Sequence, residues 1–434
     1  MLIEFFYFTD IFRVLNDFDM KNMFFGLASY SSKIILKGAL RMKKRIASML
    51  LAVLLIAVTA AGCSAGGGKS EIKVVTVTPL SGSQAAIGES LKNGAQMAFE
   101  ERKTEFEKLG LTLKFEPKDD QADPKVGVSV AQSLISDKSV MAVVGHYNSG
   151  VAIPSSEVYK KENLVMVSPA NTAVDVTERG LPSVNRIVTR DDVQGPSAAE
   201  FAVKDLGAKS IFVIHDKTTY GQGVADEFKK AAEAMGAAIP GYEGITAGES
   251  DFSAIVNKAA AAKPDVVYFG GMYPEGSLLM KQLKEKQVAA KFIGPDGMDS
   301  PEVIKIAGES AVGTYFTTVA GDVTKTAEGK AWAEKYKAKF SKDSDNWSAY
   351  GYDAMNVALD GIVKAFEANG KKSPTREQVS KAVRDTKGFQ GVAAKVTFNA
   401  KGDNEDAVMY IFQFTQAKYP PDVVKEITAK DYLK

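Results

Sequence analysis

The chain has 434 residues, and its hydrophobic content of 45% and charged content of 25% are ordinary for globular domains. Its formal net charge is +1, so charge gives no case for nucleic acid or an acidic surface as a partner. One cysteine and two histidines that lie far apart in the sequence leave no pattern for a disulfide, a metal site or a bound cofactor.

The N-terminal part of the sequence has the pattern of an export signal. Residues 43–45 are basic, residues 46–58 are mostly apolar, and the small residues 59–62 precede Cys63. Residues 42–62 therefore predict a secretory signal peptide rather than a structural element. A cysteine directly after the small residues is typical of bacterial lipoproteins, whose thiol is acylated. We expect an exported protein on the periplasmic or cell-surface face, held to the membrane by a lipid on Cys63.

Two alternatives to the lipid anchor stay open, namely a simple cleaved signal and an uncleaved anchor. Ala60 stands where lipoprotein signals usually carry leucine, whereas the apolar run is short for a membrane span of roughly 20 residues. Met42 is a natural start, so residues 1–41 are predicted to be an upstream translated extension. Residues 63–70 are rich in glycine and predict a flexible, lipidated tether.

After the tether, strands rich in β-branched residues alternate with helical patterns in two successive series. The first series is predicted at residues 72–77, 88–109, 113–116, 126–136, 140–144, 151–161 and 165–168. The second is predicted at residues 196–204, 210–215, 223–235, 252–262, 266–269, 276–285 and 292–294. Buried strands separated by amphipathic helices indicate an α/β fold with two doubly wound parallel-sheet lobes. A helix at 346–369 and a strand at 408–414 are expected to join these lobes rather than form a third domain.

Ligands of open parallel sheets bind beyond the carboxyl ends of the strands, beside helix N-termini. Two such strand ends lead into turns that carry Ser149 and Thr172. Both residues are predicted at N-cap positions, where a helix offers unpaired N–H groups to an anion such as a carboxylate. The alternative is that both hydroxyls only cap their helices. At a third strand end, Asp296 is suited to neutralise an ammonium group, and the alternative there is an ordinary Asp-Gly turn.

Several short strings, in order along the chain, resemble those of the leucine/isoleucine/valine-binding proteins. They are Gly145-His146, Ser149, Pro169-Ala170 with Thr172, Asp192 with Gln194-Gly195-Pro196, His215-Asp216-Lys217 with Tyr220-Gly221, residues 245–249 with 251–253, Gly294-Pro295 with Gly297, and residues 307–311. Members of that family are extracytoplasmic receptors of branched-chain amino-acid ABC importers.

The resemblance implies a type I periplasmic binding protein, in which two lobes joined by three crossovers close on a ligand. The crossovers are expected near residues 190–191, 319–320 and 402–406. Lobe 1 would then comprise residues 71–190 and 320–402, and lobe 2 residues 191–319 and 403–434. The implied partners are a small-molecule amino acid and a cognate ABC permease, and we expect a monomer.

By the same resemblance, Ser149 and Thr172 hold the α-carboxylate of the ligand. The carbonyl of Ala170, Thr172 and Asp296 take its α-ammonium. Tyr220 closes over the ligand from the second lobe, and Trp347 lies near a family phenylalanine that lines the side-chain pocket.

The sequence departs from the family pattern at several pocket positions. Asp296 replaces a glutamate, Ile87 replaces an aromatic residue, and Met272 replaces a tyrosine. A Leu-Cys pair becomes Tyr147-Asn148, and the partner cysteine becomes Ala122, so the family disulfide is absent. Asn148 adds a polar group to the pocket, which leaves open whether the ligand side chain is branched and aliphatic or another neutral type.

Two other functions were weighed. One is a receptor of the same fold that signals to a partner other than a permease. The other is an exported amidase or esterase that uses the adjacent Asp119 and Asp120, although neighbouring residues at a strand end point apart. No serine, histidine and acid combine at a catalytic spacing, so we expect a binding protein rather than an enzyme.

Overall fold

A computed structural model describes residues 70–319, 321–428 and 432. The predicted extension, signal peptide, Cys63 and the tether up to residue 69 lie outside the described residues. Ser70, predicted as the last tether residue, is already the first residue of a strand, because it pairs with Leu111 in the neighbouring strand.

The first sheet has five parallel strands whose order reverses beside its first strand. The strands are β1 (Ser70–Thr78), β2 (Leu111–Asp119), β3 (Val140–Gly145), β4 (Val165–Ser168) and β5 (Val184–Arg186), in the spatial order β2-β1-β3-β4-β5. Since β1 lies between β2 and β3, the crevice beyond their carboxyl ends is the point where such sheets bind ligands.

The second sheet has seven strands and a second reversal, between its strands β6 and β8. The strands are β6 (Ser210–His215), β7 (Ala238–Gly244), β8 (Val266–Gly270), β9 (Lys291–Gly294), β10 (Tyr315–Thr318), β13 (Val408–Gln413) and β14 (Asp422–Thr428), in the order β14-β13-β10-β9-β8-β6-β7. The predicted strand at 408–414 does join an existing sheet, but β13 runs antiparallel to β10 and to β14. This sheet is therefore mixed rather than wholly parallel. A small hairpin of β11 (Phe389–Gln390) and β12 (Lys395–Val396) precedes β13.

The helices alternate with these strands. They are α1 (Ala85–Lys108), α2 (Pro124–Ser136), α3 (Ser149–Lys160), α4 (Asp175–Glu178), α5 (Asp191–Glu200), α6 (Thr219–Ala234), α7 (Ser253–Ala262), α8 (Tyr273–Glu285), α9 (Glu302–Ala307), α10 (Ala327–Phe340), α11 (Asn346–Ala368) and α12 (Arg376–Arg384). A π-helical turn at Phe201–Asp205 extends α5, and a 3₁₀ turn at Asp296–Met298 follows β9. Within the described ranges, none of these helices combines the length and apolar character that a membrane span requires.

The chain passes between the two sheets three times. It leaves the first sheet after β5, returns after β10 to form α11 and α12, and leaves again after β12 to form β13. We call the five-stranded sheet with its helices the first lobe and the seven-stranded sheet with its helices the second lobe. This is the predicted two-lobed α/β fold with three crossovers, whereas the exact lobe boundaries stay a prediction.

Helix α11 is held against α1 by two glycines. A Cβ atom on Gly94 would lie 1.8 Å from the carbonyl oxygen of Ser348, and one on Gly351 would lie 2.2 Å from that of Leu91. Only glycine allows the two backbones to approach so closely. As a result the first turn of α11, which carries Trp347, is fixed at the carboxyl edge of the first sheet.

Two of the crossovers are tied together by a buried ion pair. Arg186, at the end of β5, donates from Nε to Oδ1 of Asp403 at 2.8 Å, and Nη1 of Arg190 lies 3.2 Å from Oδ2 of the same residue. The side-chain amide of Asn404 donates to the carbonyl of Ile187 at 2.9 Å. These contacts fix where the chain leaves each lobe.

The long apolar elements were predicted within a few residues, whereas the helices α10 and α12 were not predicted. The strands that the sequence did not predict are short or atypical. Strand β5 has three residues and β10 has four, whereas β7 contains both proline and glycine and is only partly buried. Neither composition nor periodicity separates such strands from loops, because their stability comes from pairing with neighbouring strands.

Candidate functional site

The carboxyl end of β3 supplies the first group of candidate residues. Tyr147, Asn148 and Ser149 follow the strand, and the helix α3 begins at Ser149. Ser149 is therefore not the N-cap residue, contrary to the prediction from the sequence. Asn148 holds that position, because its backbone is extended (φ −86°, ψ 127°), and its side chain makes no capping hydrogen bond. The Ser149 hydroxyl, 1% exposed, accepts instead from the N–H of Ala173 in the next loop at 3.4 Å.

The loop after β4 carries Ala170 and Thr172. Ser168 accepts from the N–H of Asn171 at 2.9 Å, and the Asn171 side chain donates to the carbonyl of Tyr147 at 2.7 Å, so the two strand-end loops are joined. Thr172 caps no helix, contrary to the prediction, because α4 begins only at Asp175 and its N-cap is Val174. The Thr172 side chain is fully buried, and its Oγ1 has no hydrogen-bond partner. The capping alternative therefore fails for both hydroxyls.

Asp191, at the start of α5, is a polar residue of this site that the sequence analysis placed only at a crossover. Its N–H donates to the carbonyl of Thr172 at 2.8 Å, and its Oδ1 accepts from the side-chain amide of Gln194 at 3.0 Å. Its Oδ2 is buried without a partner. Burial, followed by the charge of Asp296, raises the pKa of Asp191 to about 8, so this carboxyl is neutral at pH 7.

The second lobe contributes Asp296 and Tyr220. Oδ1 of Asp296 accepts from the Tyr220 hydroxyl at 2.6 Å and from the side-chain amide of Gln194 at 2.8 Å. Gln194 thus bridges the carboxylates of Asp191 and Asp296. Burial raises the pKa of Asp296 to about 6, although the hydrogen bonds from Tyr220 and Gln194 favour its charged form. The ordinary Asp-Gly turn is also present, as the 3₁₀ turn that begins at Asp296.

Met272 and Gly297 pack beside this carboxylate. A Cβ atom on Gly297 would lie 2.5 Å from the carbonyl oxygen of Gly271, 3.0 Å from Sδ of Met272 and 3.1 Å from the Tyr220 hydroxyl. The absence of a side chain at residue 297 therefore lets the ends of β8 and β9 and the start of α6 meet. Met272 is the N-cap residue of α8 and is 4% exposed.

Trp347 closes the site from α11. Its ring lies edge to face against the Tyr147 ring, with 5.5 Å between centroids. Its indole N–H donates to the carbonyl of Asp299 in the second lobe at 2.7 Å. The indole is thus satisfied and fixed. Ile87, aligned with a family aromatic residue, is fully buried in the core.

The two lobes touch across the candidate site. The Tyr273 hydroxyl of α8 donates to the carbonyl of Ser83 in the first lobe at 2.6 Å. At the start of α3, a Cβ atom on Gly150 would lie 3.4 Å from the hydroxyl oxygen of Thr219 on α6. The groups of the first lobe therefore face those of the second at contact distance.

The residues weighed for catalysis have other partners. Asp119 accepts from the N–H of Leu80 at 2.8 Å, whereas Asp120 lies 2.8 Å from Nδ1 of His146, so the two carboxylates diverge as expected. The second ring nitrogen of His146 is 3.1 Å from the Tyr159 hydroxyl. No group of three or more histidine, cysteine or acidic side chains suited to a metal ion occurs among the residues that the structure describes.

Comparison with known proteins decides the family. A family model described as periplasmic binding protein matches residues 71–418. A Leu/Ile/Val-binding protein of Rhizobium johnstonii is 37% identical over 349 residues, which make up 80% of this chain and 93% of that relative. This chain belongs to the leucine/isoleucine/valine-binding protein family. Proteins of this family bind substrates and are not enzymes.

Two further members show how far the likeness extends. A Pseudomonas aeruginosa protein named for binding leucine, isoleucine, valine, threonine and alanine is 34% identical over 354 residues, covering 82% of this chain and 91% of its own. The crystal structure of a leucine-binding protein from Thermotoga maritima matches with a TM-score of 0.76 at 28% identity, covering 83% of this chain and 99% of that one. The predicted family and type I fold are confirmed.

The structure brings the sequence-predicted site residues of this family member together at one place. Ser149, Ala170 and Thr172 lie on the first lobe, Tyr220, Met272 and Asp296 on the second, and Tyr147, Asn148 and Trp347 beside them. Sequence reasoning missed the bridging role of Gln194 and the unpartnered oxygen of Asp191. The sequence indicates Gln194 only as part of a string that matches the family and Asp191 only as a crossover residue, and nothing in the local sequence indicates what they contact. The binding roles of all these residues stay predictions.

Proposed function

We propose that this protein is the substrate-binding component of an ABC importer and binds a neutral L-amino acid between its two lobes. The observation that supports this most directly is the buried hydroxyl oxygen of Thr172, which has no hydrogen-bond partner. The carbonyl of the same residue accepts from the N–H of Asp191, and Gln194 bridges Asp191 to Asp296. Buried polar groups without a partner are rare in proteins, and a ligand that supplies their hydrogen bonds accounts for them. Relatives named for binding leucine, isoleucine and valine support the amino-acid class.

In this proposal the first lobe holds the α-carboxylate of a zwitterion, and groups of both lobes hold its α-ammonium. Ser149, Thr172 and the amides at the start of α3 hold the α-carboxylate, since a helix N-terminus favours an anion. The carbonyl of Ala170, Thr172 and Asp296 hold the α-ammonium, and the Tyr220 hydroxyl orients Asp296. A charged partner is required there because an ammonium removed from water needs a compensating charge.

Because the ligand contacts both lobes, it stabilises the closed form by its differential affinity for that form. The crossovers that join the lobes act as the hinge, and the contacts between Tyr273 and Ser83 and between Gly150 and Thr219 belong to the closed state. The closed form is then the species that a cognate permease recognises, with the receptor acting as a monomer.

A thermal-shift panel of amino acids tests the proposed function. A ligand at about 100 times its dissociation constant adds about 2.7 kcal/mol to the free energy of unfolding, which raises the melting temperature measurably. We expect leucine, isoleucine, valine and other small neutral L-amino acids to raise it, and their D-isomers and decarboxylated amines to leave it unchanged. If no L-amino acid shifts the melting temperature, the proposed function is wrong.

The lipid anchor at Cys63 is part of the same proposal and is tested separately. Mass spectrometry of protein from bacterial membranes should find the N-terminal peptide beginning at an acylated Cys63. The variant Cys63→Ser should be released from the membrane fraction while keeping its ligand affinity. An unmodified Cys63 in a peptide that continues from residue 62 would contradict the anchor without touching the amino-acid assignment.

A further inference from the structure

Two buried polar atoms next to the zwitterion site have no partner in the protein. They are the hydroxyl of Tyr147 and Oδ1 of Asn148, two residues that directly precede Ser149. Tyr147 is 4% exposed. Each of these atoms gives up hydration on burial, and nothing within the described residues replaces it. A ligand that occupies the cleft and displaces water from them would have to supply their hydrogen bonds.

Both residues directly precede Ser149, which the proposed function places at the ligand carboxylate. The Tyr147 ring is fixed by its edge-to-face contact with Trp347, whose indole N–H bonds to the carbonyl of Asp299 in the second lobe. Burial, followed by the charge of Asp296, raises the pKa of the Tyr147 hydroxyl, which therefore stays protonated. Tyr147 thus presents an O–H group at the boundary between the lobes.

The orientation of Asn148 is set by a neighbour in the loop after β1. Its Nδ2 donates to Oε1 of Gln84 at 2.8 Å, which leaves Oδ1 as the free end of the amide. The carbonyl of Ser83, in the same loop, accepts from the Tyr273 hydroxyl of the second lobe. This loop therefore connects Asn148 to the contact between the two lobes.

These two atoms demand a particular ligand chemistry. Oδ1 of Asn148 only accepts a hydrogen bond, whereas the Tyr147 hydroxyl is able to donate one. A ligand hydroxyl or carboxamide donates and accepts at once, whereas an aliphatic side chain leaves both protein groups unpaired. We propose that Tyr147 and Asn148 form a polar subsite that selects neutral amino acids carrying a side-chain hydroxyl or carboxamide over their aliphatic counterparts. This inference rests on the proposed function and names its substrate class.

Calorimetric titration of the protein with two pairs of ligands of matched shape tests the inference. Threonine and valine differ by a hydroxyl in place of a methyl, and asparagine and leucine differ by a carboxamide in place of an isopropyl group. We expect the polar member of at least one pair to bind about tenfold or more tightly than its aliphatic counterpart, because a site built for hydrogen bonds discriminates against analogues that lack them.

Two variants assign the preference to the subsite. Tyr147→Phe keeps the ring against Trp347 and removes only the hydroxyl, and Asn148→Ala removes the acceptor. Both should reduce the polar-to-aliphatic affinity ratio at least several-fold, because the polar ligand loses a hydrogen bond and the aliphatic ligand no longer leaves that protein group unpaired. Tyr336→Phe, at another buried tyrosine on α10, is the matched control and should leave the ratio unchanged. Circular dichroism and melting temperature establish that each variant is folded.

The outcomes separate this inference from the function on which it rests. If the aliphatic member of each pair binds as tightly as the polar one, or if both variants keep the wild-type ratio, the polar subsite is wrong and the amino-acid receptor stands. If no amino acid of the panel binds at all, the proposed function fails and the subsite fails with it.

Discussion

The hydroxyl of Tyr220 donates a hydrogen bond to Oδ1 of Asp296 across 2.6 Å. The same hydroxyl accepts from the N–H of Gly297 at 2.9 Å, so it both donates and accepts a hydrogen bond within the protein. One oxygen of Asp296 is thereby committed to protein donors. The orientation of the carboxylate is fixed before any ligand arrives, which reduces the cost of ordering the site on binding.

Replacing the charge of Asp296 should weaken ligand binding strongly. In Asp296→Asn the amide keeps the shape and an acceptor for Tyr220 but loses the negative charge that would pair with the ligand ammonium. We expect affinity for the best amino acid of the thermal-shift panel to fall by about 2–5 kcal/mol in calorimetric titration. Glu285→Gln, an exposed carboxylate at the end of α8, is the control and should bind normally. An unchanged dissociation constant in Asp296→Asn would remove this residue from the site.

Removing the Thr172 hydroxyl should weaken ligand binding without lowering the stability of the protein. Thr172→Val preserves the shape of the side chain and deletes an oxygen that is buried without a partner. We therefore expect the free energy of unfolding of the ligand-free protein to stay constant or to rise. The affinity for ligand should fall by about 1–3 kcal/mol, because a hydrogen bond to the zwitterion is lost.

Thr177→Val provides the matched control for that experiment. The Thr177 hydroxyl is also fully buried, but it is bonded to Asp403 and accepts from Arg186. Its removal should lower the free energy of unfolding by about 1–3 kcal/mol. If urea denaturation shows Thr172→Val to be destabilised as much as Thr177→Val, the Thr172 hydroxyl has a structural role and not the proposed one.

The sequence predicted the parts of the site that depend on strand ends. Strands β3, β4 and β9 are short apolar runs that end in polar turns, and the rule for ligand sites in parallel sheets led from them to Ser149, Thr172 and Asp296. The N-cap of α3 was predicted one residue too late, at Ser149 instead of Asn148. Both are good N-cap residues, and the sequence does not distinguish them.

Contacts made across long stretches of chain were not predictable in the same way. The Trp347 indole bonds to Asp299, and the Gln194 amide bonds to Asp296. The partners are 48 and 102 residues apart in the sequence, respectively. Hydrophobic periodicity reports only which face of an element is buried, and it carries no information on which polar groups of distant segments meet. The family resemblance supplied Tyr220, Met272 and Trp347 for that reason.

Ligand affinity should depend on pH through Asp296. Its pKa in the ligand-free protein is raised to about 6 by burial, and only the ionised form pairs with an ammonium. Below about pH 6 a proton must therefore leave on binding, so affinity should fall up to about tenfold for each further unit of pH and level off above pH 6. The ligand zwitterion itself does not titrate appreciably between about pH 5 and pH 8.

Calorimetric titration between about pH 5 and pH 8 measures this dependence, and two variants assign it. The slope should vanish in Asp296→Asn and persist in Asp191→Asn, because burial keeps the pKa of Asp191 at about 8 and its carboxyl neutral over most of this range. If the slope remains in Asp296→Asn but vanishes in Asp191→Asn, then Asp191 rather than Asp296 pairs with the ligand ammonium.

Arg186 should affect both the stability of the fold and the conformation of the loop after β4, which carries Thr172. Its side chain is fully buried, and Nη1 donates to the carbonyls of Asn171 at 3.0 Å and Ala173 at 2.9 Å, on either side of Thr172. Its Nε pairs with Asp403, as described for the crossovers. Arg186→Met leaves a buried carboxylate without its main partner, and removing one member of a buried ion pair costs about 3–5 kcal/mol.

Urea denaturation and calorimetric titration should therefore both respond to Arg186→Met, because the carbonyls beside Thr172 lose the donor that positions them. The control is Arg102→Met on α1, where a partly exposed arginine pairs with Asp360 far from the cleft. That variant should lose about 1 kcal/mol or less and bind ligand normally. If Arg186→Met is destabilised but binds ligand with wild-type affinity, Arg186 stabilises the crossovers without positioning the Thr172 loop. Wild-type stability would contradict the role of the buried ion pair, since the Asp403 carboxylate would then tolerate the loss of Arg186 with only Arg190 and Thr177 as partners.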